Sequence, residues 1–172
     1  MGVFVENSIR CIMAKKLDGL HPSLIVAFNL TLEIFNEVPL PAELQGETSL
    51  LIDVAVLGGC LCITVNYETT KIDVWVMKEY GYRDSWCKLF TLVKSCFTSH
   101  LRYSNPIGYS SDGSKVLFEG IEVLLDVHYK KLFWYDLKSE RVSYVEGIPK
   151  LFFFKKPMIS CFKKQMRFLY KG

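Results

Sequence analysis

CITVNYETTKIDVWVM (residues 62–77) decides the architecture once it is laid over LLDVHYKKLFWYDL (residues 124–137). Val65-Asn66-Tyr67 falls on Val127-His128-Tyr129, a short turn follows in each, and a tryptophan-bearing strand comes next, with Trp75 in one and Trp134 in the other. An earlier unit keeps this order with Ala27 at the tryptophan position, so the steps from 27 to 75 to 134 are 48 and 59 residues. Four short strands in about 40–50 residues is the measure of a propeller blade. The spacing predicts an all-β chain: a partial β-propeller-like array of three four-stranded antiparallel blades over 2–40, 50–93 and 106–148. Closed propellers use about 4–8 blades, so the outer faces of the first and third units are expected to be open and apolar.

The strands read outward from that repeat. LLIDVAVL (50–57) and CLCITVNY (60–67) meet at Gly58-Gly59, a composition suited to a tight hairpin. KIDVWVM (71–77) and WCKLFTLV (86–93) complete the middle unit. GVFV, IRCIMAKK, SLIVAFNL and EIFNEVPL supply the first. KVLFEG (115–120), IEVLLDVHY (121–129), KLFWYDL (131–137) and RVSYVEGI (141–148) supply the third, and 94–105 is expected to be a loop. Helical periodicity is nearly absent, so helix should be a minority.

Composition narrows the function. At 172 residues, 50% apolar and 23% charged, the chain can bury a core and is not a disordered segment. A net charge of +3 does not by itself imply a nucleic-acid partner. Seven of the basic residues lie in 149–172, which holds no Asp or Glu, so this Phe-rich tail is set apart from a mildly acidic 1–148. It could meet an acidic partner or an anionic membrane surface, or fold back over an open face, or remain a solvated end. The most apolar stretch, 50–65, carries Asp53 and two glycines and is too short to span a bilayer.

The six cysteines (Cys11, Cys60, Cys62, Cys87, Cys96, Cys161) show no CxxC pair, and His21, His100 and His128 are scattered. No metal or cofactor is expected, and the thiols should pack as small hydrophobes, Cys87 among them. The start, MGVFVENSIRC, has no secretory pattern, so a reducing, cytoplasmic or nuclear setting is expected. Phosphate-loop, nucleophile-elbow and zinc-protease motifs are missing, so no enzyme is expected. Trp75, Trp86 and Trp134 are expected in the core, and His128 on a sheet surface. The loop Tyr80-Gly81-Tyr82-Arg83-Asp84 joins aromatics to charges. Tyr80, Tyr82, Arg83 and Asp84 are therefore candidate protein-binding residues, with an ordinary long turn as the alternative.

GVFVENSIRCIMAKK and SLIVAFNLTLEIFNEVPLP, then LGGCLCI, then IDVWVMKEYGYRDSWCKLFTL and YDL at 135–137, together resemble the plant F-box-associated domain. The run Trp75-Val76-Met77-Lys78-Glu79-Tyr80-Gly81, with Ser85, Trp86 and Lys88, is its most specific part. The resemblance covers residues 2–148 and departs at Cys11, where the family usually has Trp, and at Asn29, where it has Asp. It implies a propeller-like module, also found in F-box/kelch-repeat proteins, that holds the substrate of an SCF-type ubiquitin ligase while other subunits carry the chemistry. No F-box precedes residue 2, so the ligase adaptor is expected as a partner only where an F-box is supplied elsewhere. A truncated fragment unable to recruit the ligase, and a membrane or nucleic-acid surface binder acting through the tail, are the alternatives.

Overall fold

Continuous apolar runs bounded by glycine turns signal strands buried on both faces, and the middle of this chain is built that way. The computed structural model describes residues 2–5, 8–14, 22–44, 50–67, 70–97, 100–124, 127–147 and 151–153. Strands β5 (Leu51–Leu57), β6 (Cys60–Tyr67), β7 (Lys71–Met77) and β8 (Trp86–Val93) form an antiparallel meander, sheet B. In β6 and β7 nearly every residue is buried, odd and even positions alike. Sheet A precedes it with β1 (Gly2–Val5), β2 (Ser8–Ala14), β3 (Pro22–Asn29) and β4 (Ile34–Val38). Sheet C follows with β9 (His100–Tyr109), β10 (Lys115–Leu124), β11 (Val127–Asp136) and β12 (Val142–Tyr144). Among the described residues helix is limited to 3-10 turns at Ala42–Leu44, Arg83–Ser85 and Lys94–Cys96.

The sheets stack like leaves of a fan. Ile25, Ala27 and Val38 of sheet A pack with Ile63, Val65, Trp75, Met77 and Trp86 of sheet B. The opposite face of sheet B, with Cys62, Ile72, Val74 and Leu92, packs on Leu101, Phe118, Phe133 and Tyr135 of sheet C. There Phe118 and Phe133 are fully buried and stacked at 5.3 Å, and burial of each side chain contributes about 1.5–3 kcal/mol. The inner strands are also tied by polar contacts. Asn66 Nδ2 donates to the Arg102 carbonyl, and the buried Lys94 donates to Asn66 Oδ1 at 2.6 Å.

Sheets A and C share one turn. Asn29 Oδ1 accepts from the Thr31 and Leu32 amides, both at 2.9 Å. Asp136 Oδ1 accepts from those of Lys138 and Ser139 at 3.1 and 2.8 Å. Four residues on, Glu33 (φ 53°) and Glu140 (φ 55°) adopt left-handed backbone and donate their amides to the Asn29 and Asp136 carbonyls at 2.9 Å. The Asn29 departure therefore keeps the oxygen that the turn needs.

Three expectations about the strands are corrected. Residues 100–105 belong to β9, not to a loop. This sheet-edge strand carries Asn105, Pro106 and Gly108, all poor strand formers, and its pairing shifts register beside Pro106. KVLFEG and IEVL are one strand, β10, rather than two. Gly120 is not a turn: a Cβ there would stand 2.9 Å from both Leu101 Cδ1 and Phe133 Cε1, so glycine permits close packing. Trp134 is only partly buried, whereas Trp75 and Trp86 are buried as expected. Phe133 and Tyr135 face sheet B, so Trp134 between them faces away. Trp75 faces sheet A, making Phe133 its counterpart; the repeat alignment was one residue out, which exchanges faces.

The outer faces of sheets A and C carry apolar residues, exposed on sheet A and half-buried on sheet C. The Phe28 and Phe35 rings lie 4.8 Å apart and tilted by 43° on the outer face of sheet A, with Phe35 exposed. Trp134 and Leu117 pair on the outer face of sheet C. The segment Leu151–Phe153 (β13) extends the outer edge of sheet C by pairing with His128–Lys130 of β11. The rest of the tail, and the side chains of His100, His128 and Cys11, lie outside the described residues. Of the described cysteines, Cys62 is buried, and burial pushes its thiol well above the ordinary range. Cys87 is half-buried rather than buried, packed at the rim of the core between sheets B and C.

Candidate loop face on sheets B and C

In a four-stranded meander the first and third turns leave the sheet at the same end. In sheet B these are Gly58-Gly59 and residues 78–85; in sheet C they are residues 110–114 and 137–141. Two contacts align the sheets. Asn66, opposite the start of β5, meets Arg102 near the start of β9. At the other end, a Cβ on Gly58 would lie 3.1 Å from Tyr109 Cε2 at the end of β9. The inner strands thus run the same way, and all four turns share one end of the fan.

The sequence-predicted residues sit on the turn between β7 and β8, which its own backbone holds. Lys78 N donates to the Ser85 carbonyl at 3.1 Å, and Tyr82 N to that of Glu79 at 3.2 Å. Ser85 Oγ lies 2.6 Å from the Glu79 carbonyl and 2.8 Å from that of Tyr82. Gly81 takes φ +85°, where a side chain would be strained. Tyr82 is 68% exposed, Tyr80 is exposed less fully, and Arg83 and Asp84 face solvent. A braced loop presenting a two-torsion aromatic loses little conformational entropy on binding.

The structure adds Tyr109 and Leu137, both exposed. Tyr109 lies against the Gly58-Gly59 turn, whose two positive φ angles (59° and 80°) fit a type I′ hairpin. Leu137 opens the turn after Asp136, and its amide donates to the Ser114 carbonyl at 3.0 Å. The neighbouring turn is rigid too: Asp112 accepts from Ser110 Oγ at 2.6 Å and from Ser114 Oγ at 2.9 Å. These bonds, that of Ser110 foremost, hold the Asp112 carboxyl down at about 2. Tyr109-Ser110-Ser111-Asp112-Gly113 carries a turn signal, but Tyr109 joins the face only through the stacking of the sheets. The resulting surface mixes aromatic and apolar side chains with Arg83, Asp84, Asp112, Lys138 and Glu140. Among the described residues no group of His, Cys, Asp and Glu is arranged to hold a metal, and no helix is long and apolar enough to cross a membrane.

No family model and no solved structure matches the chain. Relatives in Arabidopsis thaliana do. F-box protein CPR1 is 39% identical over 143 residues, covering 83% of this chain and 33% of the relative. F-box protein At4g22390 is 30% identical over 142 residues, again 83% of this chain and 33% of the relative. F-box/kelch-repeat protein At3g23880 is 33% identical over 95 residues, 55% of this chain and 24% of the relative. The chain spans about a third of the length of the first two. The homologues over most of the chain are plant F-box proteins, consistent with an F-box-associated domain, as the sequence resemblance implied.

Proposed function

We propose that this chain is the substrate-holding module of an F-box protein in an SCF-type ubiquitin ligase, and that it binds a protein through the loop face. The observation that carries the reading is the braced turn at 78–85, which exposes Tyr82 beside Arg83 and Asp84 on the same end as Tyr109 and Leu137. Homology to F-box proteins supports the ligase setting. The role is recognition, with ubiquitin transfer done by other subunits, in the cytoplasm or nucleus. Contact with the ligase adaptor needs an F-box joined to the module.

The test compares the parent chain with a Tyr82→Ala, Arg83→Ala variant, each joined to an F-box and expressed in plant cells with proximity labelling. A protein labelled by the parent, lost with the variant, and shortened in half-life only by the parent is the expected outcome. Equal labelling by both, or an unchanged half-life for every labelled protein, would overturn the proposal.

A further inference from the structure

Beside the 3-10 turn at Ala42–Leu44, sheet B lines a solvent-open cleft of about 460 Å3. Its chemistry centres on Asp73, which is 1% exposed. Asp73 Oδ1 accepts from Thr91 Oγ1 at 2.7 Å. Its Oδ2 is shared by two ammonium groups at long range, Lys71 Nζ at 3.4 Å and Lys88 Nζ at 3.5 Å. Each ammonium carries three donor hydrogens, and one shared oxygen at these distances leaves most of them to solvent. Both lysines remain about two-fifths exposed.

Trp75 also lines the cleft, and its buried Nε1 has no hydrogen-bond partner. Its fellow Trp86 spends its own N–H on the Pro39 carbonyl at 2.8 Å. A buried indole N–H without an acceptor is a cost that folding normally avoids. The cleft is thus lined by the spare donors of Lys71 and Lys88 and by Trp75, with one further acid, the exposed Glu43. The Tyr67 ring, 4.4 Å from Lys71 Nζ, and Trp86 give it aromatic walls that would cover an apolar stem.

We infer that this cleft receives an oxyanion, a carboxylate or phosphate carried on a side chain of a protein partner. The anion bridges Lys71 and Lys88 beside the Trp75 ring, over which Lys88 Nζ lies at 5.5 Å from the centroid. This is a contact point distinct from the loop face: Lys71, Asp73 and Lys88 lie on a face of sheet B between its two ends, and the cleft reaches the 78–85 turn only at Trp86.

The test follows the indole N–H signal of Trp75 by nitrogen-15 NMR on the full chain. Acetylated Gly-Phe-X-Phe-Gly peptides are added at millimolar concentration, with X as Glu, phosphoserine or Gln, and inorganic phosphate forms a further arm. A salt-sensitive Trp75 shift from the Glu or phosphoserine peptide, with none from the Gln peptide, is the expected result, and the stronger of the two names the source of the anion. Lys88→Gln should weaken that binding about fivefold, and Lys88→Arg should retain it. The Arg variant keeps the charge beside Asp73, so the comparison survives if the Gln variant fails to fold. No shift from either anionic peptide, a shift from phosphate alone, or an equal shift from the Gln peptide would overturn the inference.

Discussion

Trp75 and Trp134 stand on the third strands of adjacent sheets and face opposite ways with respect to the core. Trp75 is buried between sheets A and B, while Trp134 faces away from sheet B on the open end of the fan. Trp75→Ala should therefore cost about 3–5 kcal/mol, the range for emptying a buried aromatic site. Trp134→Ala should cost less than half as much, because its ring leaves no enclosed cavity. Urea denaturation of both variants against the parent measures the difference, and equal losses would place the two rings in equivalent environments.

Gly120 is a packing residue. A methyl there meets Leu101 and Phe133 side-chain carbons at 2.9 Å, and overfilling a packed core costs about 1–3 kcal/mol. Gly120→Ala should lower the melting temperature, and lower it less in a Leu101→Ala background, where one of the two clashes is gone. Strict additivity of the two substitutions would show that the methyl is accommodated elsewhere.

What was legible in the sequence follows from burial. β5, β6 and β7 were read correctly because sheet B is covered on both faces, so their sequences are mostly apolar at odd and even positions alike. β9 was missed because a sheet-edge strand tolerates Asn105, Pro106 and Gly108, residues that imitate a loop. The facing of Trp134 was misread because strand parity follows from the ladder, and one residue of misalignment exchanges the faces. The loop at 80–84 was visible from its glycine and charges. Tyr109 and Leu137 were not placed with it, nor Lys71 with Lys88 around Asp73, since these groupings exist only once strands pair and sheets stack.

Asp112 sets a pH dependence. Its hydrogen bonds to Ser110 and Ser114 lower its carboxyl from 3.8 to about 2 in the folded chain. A folded value below the unfolded one means that the group stabilises the fold fully above about pH 4 and loses that contribution as pH falls towards 2. Asp136 is lowered in the same direction, first by the Ser139 amide. Asp112 is solvent-exposed and Asp136 partly so, and the effect is therefore small and sensitive to salt. Asp112→Asn should melt below the parent at neutral pH, and the gap should narrow through this acid window. A gap that stays constant or widens on acidification would refute the assignment.

Tyr82 should matter for binding and not for folding. Its side chain is largely in solvent, while the turn is held by backbone groups and Ser85. Tyr82→Ala should leave the melting temperature within experimental error. Ser85→Ala removes both hydroxyl contacts and should loosen the turn, costing about 0.5–1.5 kcal/mol. A large loss of stability from the tyrosine change would mean that its ring braces the fold instead of presenting a contact.

The most direct test of the loop face is site-specific photo-crosslinking in plant cells. A photoreactive phenylalanine analogue replaces Tyr82 in one chain and Leu51 in another. Leu51 is also exposed but starts β5, at the end of sheet B opposite the Gly58-Gly59 turn. The account predicts a discrete protein adduct from position 82, suppressed by Arg83→Ala in the same chain, with no such adduct from position 51. The same adduct at equal yield from position 51, or its persistence at position 82 after the Arg83 change, would contradict it.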